Sequence, residues 1–248
     1  MKNNKKTTTA YWDSLYAGQT EPALSSKLSV GSKNLQRLFR RYIRPGMRFL
    51  EIGCAPGKQL AYIGKYLKAS VAGLDYSPNG IELTRRLFDK LGLKGDLRCE
   101  DIFETTFQPQ SFDVVYSLGV VEHFHDPTDI VRQHVELVKP AGMALILVPN
   151  YGGIYGHLQA HFDPANLSIH NTAIMKPANM QKLAPADLSA DTESFPYGRI
   201  SPWLLNLNNK WPKTFAQMVN YCVNFMGLLQ TVDIEALCPL IVLRIIRA

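Results

Sequence analysis

Cysteine is scarce in this sequence, and its placement argues against a fold that is stabilised by disulfides or by structural zinc. The 248 residues contain four cysteines, at positions 54, 99, 222 and 238, with no Cys-x-x-Cys pair. This spacing argues against a disulfide framework and against a zinc site, and it fits a reducing cytoplasm. The N-terminal segment MKNNKKTTTAYWDS has lysines but no apolar stretch after them. We therefore expect no cleaved secretory signal and a cytoplasmic location.

Long uncharged runs are scarce as well. The most informative one, residues 214–232, is interrupted by Gln217, Asn220, Asn224 and Gln230. Their spacing places these polar side chains on one stripe of a helix, which predicts a packed amphipathic helix and no stable membrane span. A lipid-facing role at a membrane surface is the alternative.

Acidic residues are outnumbered by basic ones, which gives a net charge of +6. Much of the excess forms a stripe at helical spacing. Such a stripe could contact phosphate groups or anionic lipid, although a solvated helix face is the simpler interpretation. No nucleic-acid-binding motif of the aromatic-interleaved basic type accompanies it, so nucleic acid is not a favoured partner. The members of the stripe are Lys33, Arg37, Arg40, Arg41, Arg44 and Arg48.

Strand-like and helix-like segments alternate from residue 47 onward. This order implies an α/β fold, with a parallel sheet covered by helices on both faces. The continuous apolar runs at 112–118 and 143–148 are typical of central strands that are buried on both sides. Strands are predicted at 47–53, 70–76, 96–101, 112–120, 143–150 and 240–248.

The alternation stops after residue 150, and the following region has few charges. Asp163 is the only charged residue between Lys139 and Lys176. Because the region is too long for one loop, we predict a helical cap over the carboxyl edge of the sheet. Its aromatic composition suggests a substrate with apolar surface. The chain is thus expected to form one domain, with an N-terminal helical lid at 1–45, a core at 46–150, the cap at 151–232 and a final strand within 233–248.

A turn rich in small residues follows the first predicted strand, in FLEIGCAPGKQL. Gly53 and Gly57 permit a sharp turn and a close approach of the backbone to a ligand, and Ala55 adds only a methyl group between them. Asp75 stands 22 residues after Gly53, at the end of the second strand. A carboxylate there can accept both hydroxyls of a ribose. The turn, the acid and the βαβ context together predict a nucleoside ligand.

These residues resemble motifs of the class I S-adenosylmethionine-dependent methyltransferases. In that family an acidic residue and a glycine-rich turn hold the methionine part of the cofactor, a second acid holds the ribose, and an acid–apolar pair brackets the adenine. EIGCAPG, Asp75 and Glu100-Asp101-Ile102 match these motifs, and SLGVVEHF matches the segment after strand four. The resemblance covers residues 45–150 and departs at Ala55. It implies a Rossmann-like, doubly wound and mostly parallel seven-stranded sheet.

The resemblance implies S-adenosylmethionine as the cofactor. The segment YWDSLYAGQ is similar to aromatic segments that fold over the cofactor in many small-molecule methyltransferases; anchoring onto the core is the alternative. Cys54 lies inside the turn, where we expect a small buried thiol and not a nucleophile. The expected cofactor-binding residues are Tyr11, Trp12, Glu51, Gly53, Cys54, Ala55, Gly57, Asp75, Tyr76, Asp101, Ile102, Ser117 and Leu118.

All six histidines lie between residues 123 and 170, mostly near the predicted carboxyl edge. Histidine can accept a proton near neutral pH from a hydroxyl or amine that attacks a methyl group. His123 and His125 are the candidate catalytic bases, whereas His134, in the middle of a helix, is expected at the surface. The expected substrate-binding residues are Glu122, His123, Asn150, Tyr151, Tyr155 and His170.

A metal site is not favoured by the sequence. His157 and His161 are four residues apart, but Leu158 stands where His-Glu-x-x-His requires Glu. VEHF also resembles the Glu-x-x-Glu-His pattern of ubiquinone-pathway O-methyltransferases, which is linked with a divalent cation. Gly119 replaces the first Glu of that pattern. The same segment is similar to Glu-His-Phe in cyclopropane-fatty-acid synthases, where Glu lies near a bicarbonate base.

The sequence thus predicts methyl transfer from S-adenosylmethionine to a small molecule, with a hydroxyl oxygen as the favoured acceptor, by a monomer or homodimer. The absence of Asn/Asp-Pro-Pro-Tyr after strand four disfavours methylation of nucleic-acid base amines. The turn GCAPG does resemble that of RNA 2′-hydroxyl methyltransferases, whose Lys-Asp-Lys-Glu tetrad is not identifiable. The alternatives are therefore an RNA methyltransferase, a C- or N-methyltransferase of a small metabolite, and an inactive cofactor-binding scaffold.

Overall fold

A computed structural model describes residues 4–22, 24 and 29–248 of the chain. Their centre is one seven-stranded sheet in the order β3-β2-β1-β4-β5-β7-β6. The first five strands pair in parallel, and β7 runs antiparallel to both β5 and β6. The mostly parallel, doubly wound sheet predicted from the sequence is confirmed. The strands are β1 (Arg48–Ile52), β2 (Ser70–Asp75), β3 (Asp96–Cys99), β4 (Phe112–Leu118), β5 (Val138–Pro149), β6 (Ser189–Tyr197) and β7 (Leu240–Arg247).

The strand order reverses between β1 and β4, and this reversal positions the site. From β1 the chain passes to β2 on one side and later returns to β4 on the other, so the loops after these strands diverge. A crevice opens where they part, at the carboxyl ends of the strands, which is where open α/β sheets bind ligands. Ile52, Asp75 and Leu118 end the three strands at this edge.

Helices cover both faces of the sheet. The ends of α4 are set by its capping residues. The Ser77 hydroxyl accepts a hydrogen bond from the Gly80 amide at 3.0 Å at the start of the helix, and Gly92 ends the helix in the left-handed conformation. The helices are α1 (Thr9–Tyr16), α2 (Val30–Tyr42), α3 (Lys58–Tyr62), α4 (Pro78–Leu91), α5 (Thr128–Leu137), α6 (Ile154–Phe162), α7 (Pro164–Ser168), α8 (Pro177–Gln181) and α9 (Lys213–Leu229).

The core has two layers, one on each face of the sheet. On one face Phe39 of α2 packs edge-on against Phe49 and Tyr116 of the central strands. On the other face Val135 of α5 belongs to a cluster with Ile146 and other strand residues. Since successive strand residues point to opposite faces, the uninterrupted apolar runs of β4 and β5 supply both layers.

The predicted helical cap is wrong for part of its length. Residues 154–181 contain three helices, but Ser189–Tyr197 forms β6 at the edge of the sheet. An edge strand pairs on one side only and tolerates charge and proline, so it lacks the apolar run of a central strand. Asp191 and Glu193 of β6 both contact Arg244 of β7, at 2.8 and 3.2 Å.

His134 is buried, so the prediction of a surface position is wrong. It lies on the face of α5 that packs against the sheet, with its Nε2 2.9 Å from the Ser117 hydroxyl and its Nδ1 2.7 Å from the Ile130 carbonyl. Burial lowers the pKa of His134 to about 4. Ser117 is therefore turned towards α5.

The predicted helix near residues 214–232 is confirmed as α9 (Lys213–Leu229), but most of its large apolar side chains do not pack against the protein. Ala216 and Gly227 are its buried positions, whereas large apolar side chains lie on the solvent side. Among the described residues, no helix has both the length and the apolar character needed to cross a membrane.

Candidate active site

A cavity of about 530 Å³ occupies the crevice at the carboxyl ends of β1, β2 and β4. The loops after these strands form its floor, and residues from the N-terminal segment and from the region after β5 enclose it. Glu51, Asp75 and His123 all line it, although they belong to different elements. Two of the predicted regions, the glycine-rich turn and the VEHF segment, are thus brought to one cavity.

The turn after β1 adopts a conformation that only glycine accommodates easily. Gly53 and Gly57 have φ angles of 70° and 84°, in the left-handed region. A Cβ atom on Gly53 would lie 2.6 Å from Val120, and one on Gly57 would lie 2.7 Å from Thr84. The backbone of the turn is therefore packed closely against its neighbours, and Gly53 and Ala55 line the cavity. Gly57 shapes this turn without lining the cavity.

Asp75 at the end of β2 is fixed by the same turn. One carboxylate oxygen accepts a hydrogen bond from the Ser77 amide at 2.9 Å, and the other accepts one from the Ala55 amide at 3.2 Å. Burial raises the pKa of Asp75, and these backbone hydrogen bonds oppose the rise. Each oxygen keeps a further lone pair for a ligand hydroxyl.

Glu51, one position before the end of β1, is almost completely buried. Its Oε2 lies below the surface with no hydrogen-bond partner among the described residues. Burial raises the pKa of Glu51 well above its usual range, and a hydrogen bond from the Leu60 backbone acts in the opposite direction. A buried carboxyl oxygen without a partner at the wall of a cavity is suited to a ligand that brings hydrogen-bond donors.

Asp101 and Ile102 line the far end of the cavity, after β3. Asp101 forms an ion pair with Lys5, which also lies 4.9 Å from the centre of the Tyr76 ring. Thr7 accepts a hydrogen bond from the Trp12 indole at 3.0 Å. Tyr76 is enclosed at this end, and its burial raises its pKa to about 12. The N-terminal segment therefore closes this end of the cavity.

α1 covers the turn from above and supplies two aromatic residues to the cavity. Trp12 was expected there, but Tyr16 was not. The Tyr16 hydroxyl donates a hydrogen bond to the Ala55 carbonyl at 3.2 Å, and burial raises the pKa of Tyr16. Tyr11 lies on the outer side of the helix, 41% exposed, and does not line the cavity. Helical spacing explains the difference, because residues 12 and 16 share a face and residue 11 does not.

Glu122, His123 and His170 meet at the other end of the cavity. Their potential ligand atoms lie within 4.8 Å of one another, so the three could hold a metal ion. The carboxyl oxygens of Glu122 have no hydrogen-bond partner among the described residues, and burial raises its pKa to about 8. Burial and the neighbouring His170 lower the pKa of His123 to about 4.

Backbone carbonyls orient both imidazole rings. His123 Nδ1 is 3.1 Å from the Ile169 carbonyl, and His170 Nδ1 is 2.6 Å from the Asn166 carbonyl. A carbonyl only accepts hydrogen bonds, so each neutral ring carries its proton on Nδ1 and leaves Nε2 as an acceptor. His170 comes from the region after α7, which brings it to the VEHF segment through space.

Of the remaining predicted residues, Tyr151 and Leu118 line the cavity and five do not. Asn150 and Tyr155 bond to the backbone near β7, through the carbonyls of Cys238 and Leu237. His125 is exposed, Cys54 is buried behind the turn, and Ser117 faces α5. The residues outside the cavity are Asn150, Tyr155, His125, Cys54 and Ser117.

Comparisons with known proteins found a matching family model and several similar relatives. Residues 50–146 match the family described as a methyltransferase domain. The Neisseria meningitidis serogroup A protein named ubiquinone biosynthesis O-methyltransferase is 36% identical over 110 residues, which are 42% of this chain and 45% of that protein. Cycloartenol-C-24-methyltransferase 1 of Oryza sativa is 31% identical over 100 residues, 40% of this chain and 29% of that protein. The matches thus span less than half the length of these relatives.

Solved structures share the fold at low identity. The Haemonchus contortus phosphoethanolamine N-methyltransferase 2 complex with S-adenosylhomocysteine has a TM-score of 0.60 and 18% identity, covering 88% of this chain and 53% of that one. The cyclase SpnF has a TM-score of 0.62 and 13% identity, covering 98% of this chain and 96% of that one. Because a cyclase shares the fold, the fold alone does not specify the reaction.

The doubly wound sheet and the turn at its switch point define a protein that binds a nucleoside-containing cofactor. The match of residues 50–146 to a methyltransferase domain, together with the S-adenosylmethionine bound in the structurally similar Haemonchus protein, supports S-adenosylmethionine as the cofactor. The cavity fits this cofactor. Asp75 retains acceptor capacity for hydroxyls, and the unpartnered Oε2 of Glu51 can accept a donor from an amino group.

Proposed function

We propose that this protein transfers a methyl group to a hydroxyl oxygen of a small aromatic, sugar or lipid-like molecule. One observation carries the proposal: a single cavity joins the Gly53–Asp75 edge, where we place the cofactor, to the Glu122–His123–His170 cluster. The name of the Neisseria relative, an O-methyltransferase, supports oxygen as the acceptor atom.

S-adenosylmethionine, when bound, supplies a methyl group attached to a positively charged sulfur. An oxygen nucleophile can attack the methyl carbon in line with the carbon–sulfur bond, and the sulfur leaves as a neutral thioether. The chain's contribution is to hold the two reactants in that line and to exclude water. Asp75 would accept hydrogen bonds from the ribose hydroxyls. Trp12 and Tyr16 close the site from above, since both line the cavity from α1.

His123 is proposed as the group that accepts the hydroxyl proton. The Ile169 carbonyl fixes its ring with Nε2 as the free acceptor. Its lowered pKa keeps the imidazole neutral at pH 7, so an acceptor hydroxyl can donate a hydrogen bond to Nε2 before the reaction. As the carbon–oxygen bond forms, the proton passes to Nε2.

Glu122 is proposed to orient the acceptor. With a pKa of about 8, most of its carboxyl groups are protonated at pH 7 and can donate a hydrogen bond to an oxygen of the substrate. Tyr151, packed edge-on against His170 with ring centres 5.2 Å apart, adds an aromatic wall.

Two members of the basic stripe lend no support to an RNA substrate. Arg37 pairs with Asp233, and Arg44 donates hydrogen bonds to backbone carbonyls of its own segment.

The test is incubation with isotopically labelled cofactor and metabolite extracts, followed by identification of the labelled products by mass and by the chemical shift of the new methyl group. We expect O-methyl products. His123→Gln should lower kcat about 100-fold, the low end for a general base, with cofactor affinity unchanged. His125→Gln is the matched control, since His125 is exposed two positions away, and it should retain full activity.

Each result has a distinct meaning. Full activity of His123→Gln would remove His123 from the mechanism while leaving methyl transfer intact. Labelled products with N-methyl or C-methyl groups would change the acceptor atom. Tight cofactor binding without any labelled product from any extract would favour a scaffold or a different reaction on the same fold.

A further inference from the structure

α9 presents a row of large apolar side chains to solvent. Tyr221, Phe225 and Leu229 are 76%, 60% and 65% exposed. Their spacing of four residues places them on one side of the helix, and three others at helical spacing widen the row. The outward apolar face, as this row is called below, consists of Phe215, Met218, Tyr221, Phe225, Met226 and Leu229.

The opposite side of α9 is built for close contact with the protein. Ala216 and Gly227 are buried there, and the Asn224 side-chain carbonyl accepts a hydrogen bond from the Val30 amide at 2.9 Å. A Cβ atom on Gly227 would lie 2.2 Å from the Ile200 carbonyl oxygen. Only a glycine permits this close approach, so the contact at Gly227 fixes which side of α9 packs against the protein. The apolar face on the opposite side therefore points to solvent.

Basic residues flank α9, at its start and beside its C-terminal end. Residues 194–232 contain no Asp or Glu, while Lys210 and Lys213 are exposed at the start of α9. A groove of about 600 Å³ runs between α2 and α9 and is lined by four basic residues beside Leu228. Asp233 neutralises one of them through its ion pair with Arg37. The four are Lys33, Arg37, Arg40 and Arg199.

We propose that α9 and the basic groove bind the surface of an anionic lipid bilayer. A helix of 17 residues is about 25 Å long and would lie in the plane of the interface. Its aromatic, Met and Leu side chains would enter the acyl boundary, and the flanking lysines and the groove would contact anionic headgroups. The electrostatics favour this occupant over a second copy of the chain, because two facing copies would bring two basic grooves to one interface.

The location of α9 links this surface to the cavity. Leu204 and Asn206, in the turns just before α9, line the cavity, and Leu207 packs with Ala216 of the helix in a small apolar cluster. A bilayer on the outward apolar face would therefore lie next to the elements that close the cavity. The binding of the bilayer does not depend on which acceptor is methylated.

Sedimentation with lipid vesicles tests the proposal on the full chain. We expect binding to vesicles that contain phosphatidylglycerol, weaker binding to pure phosphatidylcholine, and a loss with rising salt. F225S/L229S removes apolar contacts and K210E/K213E reverses two charges; each should weaken binding about tenfold or more. The matched controls are L15S, an exposed apolar residue of α1, and K94E/K182E, two exposed lysines elsewhere. Both should bind like the wild type.

Circular dichroism and cofactor affinity establish that the α9 variants remain folded. Absence of wild-type binding to the phosphatidylglycerol vesicles, or equal binding by F225S/L229S, would overturn the proposal. A wild-type dimer that F225S/L229S converts to a monomer, without vesicle binding by either, would identify the outward apolar face as a contact between copies.

Discussion

Asp13 of α1 forms hydrogen bonds with both the backbone and the side chain of Asn79 in the first turn of α4. The Asn79 amide donates to Asp13 Oδ1 at 2.8 Å, and Asn79 Nδ2 donates to Oδ2 at 2.9 Å. The Ser77 hydroxyl donates to the same carboxylate at 2.8 Å. A negative charge at the start of a helix is favourable, so one side chain both caps α4 and holds the lid over the cavity.

Asp13→Ala should release the lid. We expect faster hydrogen exchange of the amides of α1, weaker cofactor binding, and a fall of about 1 kcal/mol in the free energy of unfolding. Ser14→Ala is the matched control, because the Ser14 hydroxyl donates its hydrogen bond within α1, to the Tyr11 carbonyl. Exchange rates in α1 that are equal in the two variants would show that Asp13 does not secure the lid.

Gly53→Ala should be more harmful than an alanine at a glycine of similar backbone conformation. Gly92 has a φ of 64° with open space around it, whereas at Gly53 the added Cβ would also meet Val120 at 2.6 Å. Gly92→Ala should therefore lower the free energy of unfolding by only about 1–2 kcal/mol, the cost of the left-handed conformation. Gly53→Ala should cost more and weaken cofactor binding, as measured by denaturant unfolding and calorimetry.

Val120→Ala separates the two contributions at Gly53. If the contact with the Val120 methyl causes the excess, the double variant should recover part of the loss, which a double-mutant cycle measures. Equal losses for Gly53→Ala and Gly92→Ala would mean that the turn shifts freely and that close packing at Gly53 is unimportant.

The features that the sequence predicted well are those set by local patterns. The apolar runs of β4 and β5 and the interval from Gly53 to Asp75 reflect constraints within one βαβ unit, so the amino-acid pattern alone is enough to recognise them. β6 was missed because an edge strand with charges and a proline has no such pattern. Lys5 and Tyr16 were missed because their positions at the cavity depend on how distant segments pack, which spacing along the chain does not encode.

Glu122→Gln should stabilise the protein in a pH-dependent way. Burial raises the pKa of Glu122 in the folded state to about 8, above its value in the unfolded chain. The wild type therefore keeps its full stability at low pH, where Glu122 is protonated in both states, and loses stability as the pH rises towards 8. The variant and the wild type should be about equally stable near pH 4. At pH 8 to 9 the variant should be more stable by about 2–4 kcal/mol.

Denaturant unfolding of both proteins across this pH range provides the measurement. Glu136→Gln, which removes the carboxylate of a less buried glutamate in α5, serves as the control for the loss of one acidic side chain. A constant difference between Glu122→Gln and the wild type at all pH values would show that Glu122 does not titrate as its burial requires.

His134 should impose the opposite pH dependence. Its folded-state pKa of about 4 lies below the value of an unfolded histidine, so its contribution is present above pH 6.5 and is lost as pH falls towards 4. The wild type should therefore lose up to about 3 kcal/mol of unfolding free energy between pH 6.5 and 4 through this residue. His134→Gln, which keeps a polar group opposite Ser117 but cannot take up a proton, should lack that part of the loss, whereas His125→Gln should retain it. A His134 imidazole resonance that titrates near pH 6.5 in the folded protein would contradict this account, because a ring enclosed between α5 and the sheet cannot become charged without opening the core.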